Sequence, residues 1–173
     1  MHAYRAAILR FDAQGGAVFD KDGLLVVGDD GTSLTERILA VGPHDAVAPR
    51  FPGLSVEQLA GRIIAPGFVD LHVHYPQIDV IGSPASGLLP WLENYTFPQE
   101  SRFSDPAHAA SVAEFFVTEL LRNGVTTALT FATSHPASVD ALFIEGQRRR
   151  MRLIGGKRGR LVKLAVRPHF RPA

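Results

Sequence analysis

The stretch from Pro66 to His74, which reads PGFVDLHVH, constrains the fold of this chain more than any other. Its apolar residues alternate with Asp70, His72 and His74, the period-two pattern of a strand with two different faces. The two histidines therefore point to the same side, about 6.6 Å apart at a rise of ~3.3 Å per residue. Two imidazoles leaning inward from that spacing can reach one metal ion at roughly 2.0–2.1 Å per Zn–N bond. Asp70 lies one step earlier on the same face and is a candidate to orient a ligand histidine through its ring N–H.

The residues around the histidine pair strengthen this interpretation. A His-x-His pair alone is a weak signal, because ordinary surface or core histidines produce the same pattern. Here the pair lies at the end of an apolar strand that follows Pro66-Gly67. A metal site at the C-terminal end of a parallel β/α barrel requires histidines in that position. The chain has no cysteine, so any metal must be held by His, Asp or Glu.

Composition limits the class of protein. With 173 residues and 46% apolar content, the chain can form one ordinary domain with a real core. No stretch approaches the ~20 apolar residues of a membrane span, and the N-terminus lacks the apolar segment of a signal peptide. We therefore expect no membrane partner, and the absence of disulfides fits a cytoplasmic protein.

Residues 1–65 read as short strands separated by turns, which predicts a small β-domain. After the strand at 66–74, residues 75–104 form a long connection whose prolines make a regular helix unlikely over most of it. Asp105-Pro106 has the chemistry of a helix start, and Asn123-Gly124 that of a helix end. A strand over 125–132, a helix over about 138–150 and a strand over 151–156 follow. The resulting order β–α–β–α–β is typical of an α/β barrel or a doubly wound sheet.

The segment after the histidine pair further limits the class of protein to which the chain can belong. It contains Tyr75-Pro76-Gln77, then LLPWL at 88–92 and YTFPQE at 95–100. Together with the strand, these motifs resemble the guanine deaminase family of the amidohydrolase superfamily, in which a glutamine follows the histidine pair and similar Leu-Leu-x-Trp-Leu and Tyr-Thr-Phe-Pro-x-Glu segments come next. The resemblance implies an α/β fold: part of a small β-sandwich domain over 1–65, then over 66–157 the first β/α units of a TIM-like (β/α)8 barrel, which is incomplete.

The resemblance also implies an activity, the hydrolysis of guanine to xanthine and ammonia by a metal-activated water. The metal is expected to be zinc, with iron possible, and His72 and His74 are its expected ligands. Gln77 is expected to hydrogen-bond the purine, while Leu89 and Trp91 pack on its face. Guanine is thus the expected small-molecule partner, and full-length relatives are expected to be homodimers. The histidines, glutamate and aspartate that complete such a site have no counterpart here, so no catalytic residue is assigned within this chain.

Residues 158–173 depart from the family pattern. The stretch 146–173 holds 10 of the 18 Lys and Arg residues and none of the 17 Asp and Glu residues. We interpret 158–173 as a basic divergent tail that arises from a frameshift or truncation, which would make the chain an inactive N-terminal fragment. Two alternatives stay open. One is a different amidohydrolase deaminase, and the other is a non-catalytic remnant whose basic tail binds nucleic acid; the second is unlikely because no aromatic stacking pattern accompanies the arginines.

We expect the 173-residue chain by itself to bind zinc weakly and not to deaminate guanine. A catalytic zinc normally has three protein ligands and an open position, and this sequence offers two. An open half-barrel also leaves strand edges unpaired, so aggregation or oligomerisation is expected. Adding zinc and guanine to the purified chain tests the first expectation, which xanthine formation would refute. A monodisperse monomer that unfolds cooperatively would refute the second.

Overall fold

The computed structural model describes residues 1–29, 36–157 and 160–162. It divides the chain into two compact units, the first spanning Met1–Pro66 and the second beginning at Gly67. Among the described helices, none is both long and apolar enough to cross a membrane.

The first unit is a four-stranded mixed sheet of β1 (His2–Phe11), β2 (Ala17–Gly28), β3 (Arg37–Pro43) and β4 (Val56–Ile64), in the order β3-β2-β1-β4. β1 pairs antiparallel with β2, β2 antiparallel with β3, and β4 parallel with β1. The α-helical turn α1 (His44–Val47) and the 3-10 turn Ala48–Arg50 follow β3. The apolar runs at 4–11, 23–27 and 38–41 predict strands that lie within β1, β2 and β3. β4 was not predicted, because polar residues and Gly61 interrupt its apolar run.

The second unit opens with β5 (Phe68–His74), and most of the connection that follows it is helical. No single regular helix spans 75–104, as its prolines indicated, but the segment is built of short helical turns rather than being irregular throughout. Its successive turns are the 3-10 helix Tyr75–Val80, α2 (Leu88–Trp91), the π-helix Leu92–Thr96, α3 (Phe97–Ser101) and the 3-10 helix Arg102–Ser104. Pro90 lies in the first turn of α2, where its missing N–H costs no helical hydrogen bond. Pro98 follows the wider π-helical turn, which relieves the clash that proline makes with the preceding turn of an α-helix.

The sheet of the second unit holds β5, β6 (Val125–Phe131), β7 (Arg152–Lys157) and β8 (Arg160–Val162), in the order β5-β6-β7-β8. β5, β6 and β7 are parallel, and β8 returns antiparallel to β7. Two long helices connect the parallel strands, α4 (Pro106–Arg122) and α5 (Pro136–Arg148). The predicted α/β fold class and the β–α–β–α–β order are confirmed. The predicted cap of α4 is also present, since the Asp105 carboxylate accepts the Ala107 backbone N–H at 2.9 Å.

The core of the second unit anchors the residues that follow the histidine pair. Tyr75, directly after His74, is fully buried, and its ring makes an edge contact with Phe103 at 5.2 Å between centroids. Its hydroxyl donates to the backbone carbonyl of Ser138 at 2.5 Å, which ties the end of β5 to α5. Burial raises the pKa of Tyr75, so this hydroxyl stays a donor. The C-terminal end of β5 is therefore fixed by contacts within the core of the second unit.

Two arginines of the basic stretch 146–173 form ion pairs with a glutamate that lies just before that stretch. Arg148 donates to the Glu145 carboxylate through Nε at 2.6 Å and Nη2 at 2.8 Å, and Arg149 donates through Nε at 2.9 Å. The hydrogen bond from Arg148 lowers the pKa of the largely buried Glu145. These two arginines thus secure the last turns of α5. Apart from the strand residues Arg160–Val162, the predicted basic tail 158–173 lies outside the described residues.

Arg150 has a φ of 55°, in the left-handed region. It follows α5 in a Schellman arrangement, in which its N–H bonds the Gln147 carbonyl and the Met151 N–H bonds the Gly146 carbonyl. Glycine is the usual residue at that position. We predict that Arg150→Gly raises the free energy of unfolding by up to about 1 kcal/mol, because it removes left-handed strain.

Urea denaturation of the purified chain checks this prediction. Arg149→Gly, one residue earlier at a φ of −92°, is the matched control and should destabilise. A loss of stability in the Arg150→Gly variant would contradict the strain argument.

Candidate functional site

The two histidines at the end of β5 bring their Nε2 atoms together. These nitrogens lie 3.2 Å apart, and the ring centroids of His72 and His74 are separated by 5.0 Å. His72 is exposed and His74 half-buried. The alternation of β5 places both rings on one face, as the sequence predicted from its period. The two ring nitrogens that can bind a metal thus converge on one point at the end of the strand.

Phe131, the last residue of β6, supports both imidazoles. Its ring centroid lies 4.7 Å from that of His74 in a stacked arrangement, at an interplanar angle of 15°, and 4.8 Å from that of His72. The parallel register of the two strands causes this contact, because His74 pairs with Phe131. Phe131 was not among the residues predicted from the sequence. The signal that could have found it is its position at the end of the next parallel strand, the same end that carries the histidines.

The separation of the histidine nitrogens fits a shared metal ion. Two nitrogens bound tetrahedrally at roughly 2.0–2.1 Å lie about 3.4 Å from each other, close to the 3.2 Å observed. Burial and the neighbouring His72 lower the pKa of His74, against the opposing effect of Glu100. A lowered pKa favours the neutral imidazole, which is the form that binds a metal. Within residues 1–29, 36–157 and 160–162, no cluster of three or more His, Cys, Asp or Glu residues could hold a metal. The described residues therefore offer two nitrogens to such a site, and the role of His72 and His74 as metal ligands stays a prediction.

Asp70 contacts the backbone of the histidine strand. Its carboxylate accepts the backbone N–H of His72 at 3.0 Å, a local bond two residues along the chain that aspartate commonly makes. The observed bond fixes the main chain beneath His72 rather than its ring. Orientation of a histidine ring by Asp70 stays a prediction.

Gln77 lies beside the histidine pair, on the 3-10 turn that follows β5. Its Nε2 is 3.4 Å from His74 Nδ1 and 3.5 Å from Glu100 Oε1. All three side chains are half-buried. The structure therefore joins two sequence motifs, the glutamine after the histidine pair and the glutamate that ends YTFPQE. Glu100 belongs to the YTFPQE motif but was not among the predicted site residues.

Leu89 and Trp91, the two residues predicted to pack on a purine, lie on α2. Leu89 is 69% exposed and Trp91 is half-buried. Both apolar side chains are thus accessible to a ligand or to another part of a longer chain. Their role in walling a pocket stays a prediction.

The fold and the histidine pair agree with one protein family. Residues 63–159, more than half of the chain, match the family model described as "Amidohydrolase family". The chain belongs to the amidohydrolase family, as the motifs predicted.

Within that family, the chain is similar to guanine deaminases. Guanine deaminase from Escherichia coli (strain K12) is 49% identical over 104 residues, which cover 60% of this chain and 24% of that protein. The solved structure of E. coli guanine deaminase matches with a TM-score of 0.79 at 36% identity, covering 91% of this chain and 37% of its own. The predicted resemblance to guanine deaminases is confirmed, and this chain spans between about a quarter and two fifths of the length of that relative.

Two further solved structures bear on the site. Guanine deaminase from C. acetobutylicum, solved with guanine bound in the active site, has a TM-score of 0.74 at 27% identity, covering 89% of this chain and 35% of that one. Atrazine chlorohydrolase TrzN from Arthrobacter aurescens TC1, solved in complex with zinc, has a TM-score of 0.69 at 19% identity, covering 91% and 35%. The likeness to TrzN shows the fold alone.

We predict that Phe131→Ala weakens zinc binding by the chain about tenfold, a size typical of residues that support metal ligands. Removing the ring frees both imidazoles to rotate, so the two Nε2 atoms no longer converge. Zinc titration by calorimetry, with circular dichroism to check the fold, measures the effect. Phe115→Ala, at a half-exposed phenylalanine of α4, is the control, and an equal effect of both substitutions would contradict the prediction.

Proposed function

We propose that this chain supplies the first metal ligands and the substrate-contacting residues of a guanine deaminase, which converts guanine and water into xanthine and ammonia. The observation that carries the proposal is the convergence of the His72 and His74 Nε2 atoms at 3.2 Å, with Gln77 in contact with His74. The likeness to guanine deaminases supports the choice of substrate.

Zinc is the proposed metal, with iron as the alternative, because neutral imidazole nitrogens suit both ions. When bound, the ion would activate a water molecule for attack on the amino-bearing carbon of the purine. His72 and His74 would hold it, and the Phe131 ring would keep their nitrogens aligned. Two ligands are fewer than the three of a usual catalytic zinc site, so further ligands would have to come from outside the described residues.

The other proposed roles concern the purine. Gln77 would hydrogen-bond its edge, because a carboxamide carries both a donor and an acceptor. Leu89 and Trp91 would pack on its flat face. Proton movement to the departing ammonia requires an acid/base group, and we assign none in this chain. We further propose a cytoplasmic location, a homodimeric assembly of the full-length enzyme and no nucleic-acid partner.

A hybrid protein tests the proposal. Residues 1–157 replace the aligned N-terminal segment of E. coli guanine deaminase, and both guanine turnover and bound zinc are measured. We expect the hybrid to form xanthine, and His72→Ala combined with His74→Ala to lower zinc content and turnover to the level of the metal-free protein. His44→Ala, in the first unit, is the control and should change neither quantity.

Two outcomes would contradict the proposal. One is an intact hybrid that turns over another purine or a triazine but not guanine. The other is a double alanine variant that keeps its zinc and its rate.

A further inference from the structure

We propose that Glu100 is a positioning residue that fixes the carboxamide of Gln77, so that the Oε1 end of this amide faces the substrate. The proposal rests on the proposed function and adds to it which hydrogen-bonding group the substrate must present. Glu100 lies on α3, and Gln77 lies on the 3-10 turn after β5.

The contact between these two side chains sets the orientation of the amide. Gln77 Nε2 is 3.5 Å from Glu100 Oε1. An ionised carboxylate only accepts hydrogen bonds, so the end of the amide that faces it must be the NH2 group. At this distance the hydrogen bond is long, and the carboxylate acts through its charge as well. The carbonyl end of Gln77 consequently points away from Glu100.

His74 does not settle this orientation by itself. Its Nδ1 lies 3.4 Å from Gln77 Nε2, but a ring nitrogen of histidine is a donor or an acceptor according to the tautomer. An ionised carboxylate has no donor form, so of the two neighbours Glu100 is the one that selects the NH2 end of the amide.

A second polar contact holds the two segments together. Gln99, which is 7% exposed, donates through Nε2 to Asp79 Oδ2 at 2.6 Å and accepts from Arg102 Nη1 at 2.9 Å. Gln99 precedes Glu100, and Asp79 belongs to the same 3-10 turn as Gln77. The carboxylate of Glu100 is therefore presented to Gln77 from a fixed backbone.

This orientation determines what Gln77 can recognise. The NH2 group faces Glu100 and His74, so Oε1 is the amide atom turned toward a ligand, and as an acceptor it selects ligands that present an N–H donor. Guanine carries such donors on its ring and on its exocyclic amino group. A site built to bond a donor discriminates strongly against an analogue that lacks it. Glu100 would thus be a specificity-determining residue that need not touch the substrate.

The orientation can be observed in the full 173-residue chain without any activity. The side-chain NH2 signals of Gln77 are recorded by 15N–1H NMR and assigned by their loss in Gln77→Glu. We expect Glu100→Gln to shift these signals, and Glu100→Asp, which keeps the charge, to shift them less. Glu93→Gln, at an exposed position in the preceding π-helical turn, should leave them in place.

The hybrid protein gives the functional readout. We expect Glu100→Gln to raise KM for guanine about tenfold, a size typical of residues that support a site, with kcat within about twofold. Unmoved Gln77 signals, equal shifts from Asp and Gln, or an unchanged KM would overturn the proposal. An inactive parent hybrid would instead count against the proposed function, while the NMR result would still decide the role of Glu100.

Discussion

The approach of two imidazole nitrogens to 3.2 Å at the end of β5 is the contact on which the rest of the site depends. Nitrogens at that distance either share a proton or share a cation, and both arrangements need rings that do not rotate freely. Phe131 supplies the restraint from the neighbouring parallel strand. The pairing register between β5 and β6 therefore determines the geometry of the histidine pair as well as that of the sheet.

The residues after the pair depend on the same anchor. Tyr75 is buried immediately beyond His74 and bonds the backbone at the start of α5, which fixes where the 3-10 turn begins. Gln77 consequently lies beside His74, and α3 brings Glu100 to the same place. A buried hydroxyl in the core thus determines the position of a polar side chain at the mouth of the sheet.

Local chemistry in the sequence predicted most of this arrangement. Alternation along Val69–His74 predicted the shared face of the histidines, and Asp105-Pro106 predicted the start of α4 because helix caps depend on a few adjacent residues. The helical nature of 75–104 was not predicted, since proline statistics describe regular α-helices and not mixed 3-10, α and π turns. Phe131 was missed, although its place at the end of the next parallel strand could have indicated it. Glu100 could not be assigned a role, because its contact with Gln77 joins turns that are far apart in the chain.

The central claim is that His72 and His74 share one cation through their Nε2 atoms. Histidine 15N NMR of the chain during zinc titration tests it directly, because the two ring nitrogens give separate signals. The account predicts that the Nε2 signals of both residues move together at the same zinc concentration, while their Nδ1 atoms keep their protons. Movement of only one of the two, or movement confined to other histidines, would contradict it.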